Sequence, residues 1–189
     1  PIIVGRGVRA GIAEYLPERT QRVAIITQEG IDVSLETGRD QRVFVVENGD
    51  TAKRLEVVGR LGSELAQWGM TRADCVVAVG GGVIGDASGF LAATYNRGGP
   101  FVQVPTTLLA DVDSSVGGKV GGNLAAAKNL IGSFYQPLGV FIDTSVLSTL
   151  PDRDYRSGLA EVVKYGVILD AEFFDFLEEN VDGVNAREP

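Results

Sequence analysis

Five short apolar runs limit what this chain can fold into. They are "RVAIIT" (22–27), "RVFVVE" (42–47), "CVVAVG" (75–80), "FVQVP" (101–105) and "VFID" (140–143), hydrophobic at consecutive rather than alternating positions. That pattern belongs to strands buried on both faces. Between the second and third runs, Leu55, Val58, Leu61, Leu65 and Trp68 recur at three-to-four spacing and predict an amphipathic helix. Strand, helix, strand in that order predicts a parallel sheet with right-handed crossovers. After "VFIDTSVLSTL" the texture changes. Thr149, Pro151 and Asp152 offer a cap, an early helical proline and a first-turn acid, and everything beyond is helical in character. The expectation is an α/β domain over residues 1–147 and the start of an all-helical domain over 148–189.

Composition narrows the function. An apolar fraction of 44% with mixed charges is that of a globular protein. A net charge of −8 argues against nucleic acid as a partner, although a pocket's local field can still favour a small anion. The single cysteine, Cys75, lies in an apolar run and reads as core, which fits a reducing cytoplasm. No run reaches the roughly 18 apolar residues of a spanning helix, so no membrane is expected. The chain has no histidine, opens on Pro1, and stops soon after a helical region begins. These features suggest a piece of a longer polypeptide.

"VGGGVIGDASGF" (79–90) sets Gly80, Gly82 and Gly85 in a G-x-G-x-x-G spacing after a strand. A helix opening near Val83 would aim free N–H groups and its positive end at an anion. A close strand-to-helix turn needs glycines equally. Asp86, expected on the first helical turn, either serves the helix dipole or accepts a hydrogen bond from a ligand. In "ENGDTAK" (47–53), Asp50 reads first as a helix cap and second as a ribose ligand beyond a strand's carboxyl end, with Lys53 placed to meet a phosphate. "VPTTLLADVDSSVGGKVGGNLAAAKNLIGSF" (104–134) puts Lys119, Lys128 and Asn129 among glycines on what reads as irregular backbone, either as anion ligands or as a solvated loop. In "GLAEVVKYGVIL" (158–169), Glu161 and Lys164 share a helix face among apolar residues. They are either a simple i,i+3 pair or a largely buried site.

Taken together and in order, "GGGVIGDASGFLAATYNRG", "VPTTLLADVDSSVGGKVGGN", "KNLIGSFYQP", "FIDTSVLSTLP" and "GLAEVVKYG" resemble the 3-dehydroquinate synthases. The resemblance implies a Rossmann-like NAD-binding domain followed by a helical metal and substrate domain, usually in a homodimer. The implied enzyme is a lyase of the shikimate pathway using catalytic NAD and a divalent metal, zinc foremost and cobalt as an alternative. It converts 3-deoxy-D-arabino-heptulosonate 7-phosphate, a phosphorylated and carboxylated sugar acid, into 3-dehydroquinate and phosphate. By oxidising and later re-reducing the substrate it regenerates the NAD.

Carried over by position, Asp50 and Lys53 would hold the adenosine end, while Gly81, Gly82, Val83 and Gly85 would seat the pyrophosphate. Asp86 would hold the nicotinamide amide; Thr106, Thr107 and Val146, Leu147, Ser148 and Thr149 would line the cleft. Lys119, Lys128, Asn129, Arg97, Asp113 and Lys164 would surround the substrate, with Lys119 and Lys128 also near the cofactor, and Glu161 would bind the metal. The family's two histidine ligands have no counterpart here, so these 189 residues alone are expected to bind cofactor at best. Competing readings are a cyclase acting on sedoheptulose 7-phosphate, a metal-dependent alcohol dehydrogenase of similar architecture, and a non-catalytic NAD-binding module.

Overall fold

A computed structural model describes residues 1–187. Six parallel strands form one sheet: β1 (Ile2–Gly5), β2 (Arg22–Gln28), β3 (Asp40–Val46), β4 (Cys75–Gly80), β5 (Phe101–Pro105) and β8 (Gly139–Asp143). Their order is β1-β8-β5-β4-β2-β3. The five apolar runs are all strands of this sheet. Unforeseen was β1, a four-residue edge strand that pairs with β8 through Ile2↔Val140 and Val4↔Ile142.

The consecutive hydrophobicity has a direct cause. Ala24, Ile26, Val76 and Ala78 pack on one face beneath α1 (Leu55–Gln67) and α2 (Gly82–Thr94). The residues between them, Val23, Ile25, Val77, Val79, Val102 and Val104, pack on the other face against Ile12, Leu16, Leu35 and Phe141. Leu61 and Leu65 of α1 are almost fully buried, each worth about 1.5–3 kcal/mol. Cys75 is fully buried, and burial pushes its thiol up to about 12.

The glycine-rich stretch expected to be irregular instead forms an antiparallel hairpin, β6 (Lys119–Gly122) with β7 (Ile131–Phe134). It packs on α2, with Val120 in the core. Lys119 therefore stands on a strand, while Lys128 and Asn129 lie in the loop between strands.

Past β8, a short 3-10 helix (Thr144–Thr149) leads to α3 (Asp152–Leu169), α4 (Ala171–Glu179) and α5 (Val181–Ala186). The expected Thr149 cap does not form. Its hydroxyl donates to the carbonyl of Val146 inside the 3-10 turn, and Pro151 occupies the cap position with no side-chain bond. Arg187 fastens this helical region to the junction: its guanidinium donates to the carbonyls of Leu147 and Leu150, pairs with Asp152, and stacks on Tyr155 at 4.5 Å. Among the described residues no helix is long and apolar enough to cross a membrane.

Candidate active site

In this strand order β3 lies on one side of β2 and β4 on the other, so the chain reverses direction across the sheet between β2 and β4. Open parallel sheets leave a crevice outside the carboxyl ends of the strands at such a point. Here a cavity of about 490 Å³ is lined by Gln28 after β2, Gly81, Gly82 and Val83 after β4, Thr106 and Thr107 after β5, and Val146 and Thr149 beyond β8. Leu147 and Ser148 do not face it; Ser148 turns its hydroxyl to the carbonyl of Ser145.

The start of α2 leaves its backbone bare. Gly81 is the cap residue and no side chain satisfies the first amides. A Cβ on Gly82 would lie 2.7 Å from Ser114 Oγ, a buried hydroxyl without a partner. A bare backbone, free N–H groups and a cavity within the usual size range for cofactors suit a dinucleotide's pyrophosphate.

A second cavity of about 300 Å³ adjoins the far side of the Gly82–Ser114 contact, lined by Asp86, Asp113, Ser114, Lys119, Val120 and Asn129 among others. Asp86 is the fifth residue of α2, past the first turn where a carboxylate was expected to serve the helix dipole. Burial raises its carboxyl above the usual range, opposed by Lys53 and Lys119. Lys53, expected at the adenosine end, lies behind this pocket with a side chain 7% exposed. Its ammonium sits 2.5 Å from both Asp86 Oδ2 and Asn129 Oδ1.

Asp50 does not cap α1: it lies inside a short 3-10 turn (Gly49–Lys53) before the helix, and Arg54 holds the cap position with no side-chain bond. Its carboxylate pairs with Lys128, whose hydrogen bond holds it below the usual range. Asp50, expected on the cofactor, and Lys128, expected on both substrate and cofactor, thus meet each other beside a third cavity.

Glu161 and Lys164 form an ion pair, but a half-exposed one, with side chains 29% and 42% accessible rather than largely buried as expected. The hydrogen bond to Glu161 raises the Lys164 ammonium above its ordinary value. The adjacent Tyr165 hydroxyl donates to Val112 O at 3.2 Å, and Asp113 Oδ1 lies 3.5 Å away, so α3 brings this pair toward the second cavity. No group of three or more potential metal-ligating side chains exists among the described residues. Glu161 is one donor, and one donor does not make a metal site.

Arg97 is not gathered with the others. It is exposed beyond the carboxyl end of α2, about 20 Å along the helix from Gly82 and a few residues before the amino end of β5. Sequence reading also passed over three groups. Arg9 lines the crevice, bonded to Asp32 and, at 3.3 Å, to the buried Asp143. Ser114 carries the orphaned hydroxyl. Asp111 is 6% exposed with neither carboxylate oxygen partnered, and burial reinforced by Asp143 raises it to about 7. Its one sequence signal was an acid inside the apolar "TLLADV".

A parallel sheet that opens at its switch point onto a glycine-floored helix terminus defines an α/β protein of the dinucleotide-binding class. Residues 43–157 match the family model described as 3-dehydroquinate synthase N-terminal. The chain belongs to that family. It is 46% identical over 197 residues to the 3-dehydroquinate synthase of Saccharophagus degradans, covering 100% of this chain and 54% of that protein. With that of Geotalea uraniireducens it is 50% identical over 177 residues, covering 89% and 49%. The chain spans about half the length of the curated relatives it matches.

Among solved structures, it superimposes on a 2-epi-5-epi-valiolone synthase from Streptomyces hygroscopicus with bound NAD+ and Zn2+ at a TM-score of 0.89 and 30% identity, covering 100% of this chain and 56% of that one. A 2-deoxy-scyllo-inosose synthase complexed with carbaglucose-6-phosphate, NAD+ and Co2+ gives 0.82 and 32%, covering 89% and 48%. A maleylacetate reductase from a Rhizobium strain, at 22% identity and a TM-score of 0.69 over 87% of this chain and 47% of that one, shares the fold alone.

Proposed function

We propose that the intact protein is a 3-dehydroquinate synthase, a carbon–oxygen lyase that releases phosphate from 3-deoxy-D-arabino-heptulosonate 7-phosphate in the shikimate pathway. Family membership supports the reaction class. The observation that carries the reading to this chain is the pair of adjoining cavities, one floored by the amino end of α2 and one bearing Asp86, Lys119 and Asn129. NAD bound in the first would supply a hydride acceptor that returns the hydride later in the same turnover.

The chain's own groups then have defined tasks. The uncapped amides at Gly82 and Val83 receive the pyrophosphate, Thr106 and Thr107 wall the crevice, and Asp86 accepts from a carboxamide. Lys119 and Asn129 offer donors to the phosphorylated, carboxylated substrate, the local cationic field that an acidic chain needs for such a ligand. Lys128 joins them once it leaves Asp50. Asp113 and Lys164 reach the same pocket from the Tyr165 side. In the intact protein Glu161 would supply one ligand to a divalent metal, zinc by preference; because the described residues gather no further donors around it, the 189-residue chain alone does not turn over.

The domain division at residue 147, a homodimeric state and a cytoplasmic location belong to the same proposal. The deciding assay follows phosphate release from the heptulosonate phosphate in parallel with absorbance at the NADH band. Phosphate release without net NADH supports a cyclase; NADH accumulation points instead to a simple dehydrogenase, and release only from sedoheptulose 7-phosphate to the neighbouring branch. Glu161→Gln in the intact protein is expected to abolish metal-dependent turnover.

A further inference from the structure

Lys53 holds a position that neither cavity reveals by its lining. Its ammonium bonds at 2.5 Å to Asp86 Oδ2 on helix α2 and at 2.5 Å to Asn129 Oδ1 on the hairpin loop. Its backbone carbonyl accepts the amide of Asn123 at 2.7 Å, where the same loop begins. Asn123 then closes the loop on itself, its Oδ1 taking the Asn129 amide at 3.0 Å. Asn129 has φ +56°, a left-handed backbone that this clasp must maintain. One buried residue thus fixes both ends of the hairpin loop and the Asp86 carboxylate, which lines the same cavity as Asn129.

We propose that Lys53 is a positioning residue that couples two ligands: by gripping Asp86 and Asn129, which line one cavity, it makes dinucleotide binding and oxyanion binding mutually reinforcing without touching either ligand. The inference rests on the NAD reading given above. A ligand that draws Asp86 into one orientation shifts the ammonium, and with it the carboxamide of Asn129. A phosphate ordering the loop acts through the same three groups in reverse, as reciprocity requires.

The test measures NAD affinity of the intact protein by calorimetry, with and without inorganic phosphate. In the wild type, phosphate tightens NAD about fivefold or more, the lower range of ordinary coupling. Lys53→Met abolishes that gain and weakens NAD by about tenfold, because Asp86 is no longer held in place by its charge-assisted bond to Lys53. Lys53→Arg restores part of both effects.

Because removing a buried cation threatens the fold, Asn129→Ala serves as the second variant. It breaks the loop-side arm and also removes one donor to the oxyanion, so phosphate is raised to saturation for this variant; coupling still disappears, while NAD alone weakens less than in Lys53→Met. A merely structural lysine would lower thermal stability and leave the phosphate effect intact in Asn129→Ala. Unchanged coupling in both variants, or no phosphate effect in the wild type, overturns the proposal. A wild type that binds no NAD at all overturns the functional reading beneath it.

Discussion

At the scale of single residues, the site depends on what is missing from Gly82 as much as on what its neighbours carry. A methyl group there would lie 2.7 Å from Ser114 Oγ, so Ser114 or the start of α2 would have to shift. Gly82→Ala is therefore expected to weaken NAD by about tenfold or more while the unfolding midpoint changes little, because the adjoining Ser114 lies at a cavity wall that can yield. Titration calorimetry beside thermal unfolding separates the two effects. The strand-to-helix turn was legible in the sequence because so close a turn needs glycines. Lys53 was not. An amine after a strand reads as a ligand group, and only the fold shows its stem running inward to meet Asp86.

At the scale of elements, hydrophobic continuity revealed the five strands that bury both faces, and three-to-four spacing revealed α1. It missed β1, which is an edge strand with Ile2 and Val4 half exposed. It misread the β6–β7 hairpin because glycine weakens an isolated strand. Here the glycines allow close approach: a Cβ on Gly121 would lie 2.6 Å from the carbonyl oxygen of Ile131 across the ladder. Gly121→Ala should accordingly cost about 1–3 kcal/mol through overpacking. It should also loosen the loop carrying Lys128 and Asn129, lowering urea stability and phosphate affinity together. A variant of wild-type stability would mean that the hairpin stands further from its partner strand. The Glu161–Lys164 pair was misjudged for a related reason. Its apolar neighbours on α3, Val163, Val167 and Ile168, are themselves exposed in this chain.

At the scale of the whole molecule, buried carboxylates set the pH response, and they pull in opposite directions. Burial opposes the ionised forms of Asp74 and Asp143, but both are held below the usual value. Asp74 takes hydrogen bonds from Thr71, Arg22 and Gln21; Asp143 takes them from Ser145 and Gly7, with Arg9 alongside. The stability they contribute is present above the ordinary carboxylate range and lost as pH falls through their folded-state values. Asp111 has the reverse sign. Unfolded, it titrates near 3.8; folded, near 7. Between those limits the native state keeps a proton that the unfolded chain has released, so its contribution is full below the unfolded value and declines as pH rises, by about 1.4 kcal/mol per unit at most. Asp86, also raised by burial, slopes the same way. Replacing Asp111 with Asn keeps the shape and removes the titration. Urea unfolding of the wild type should then weaken from about pH 5 to about pH 8 by up to a few kcal/mol. Asp111→Asn should lose much less over that interval and be the more stable of the two at the alkaline end. Parallel profiles for the two proteins would show that Asp111 ionises in the native state with a solvated or paired carboxylate, contrary to its burial here.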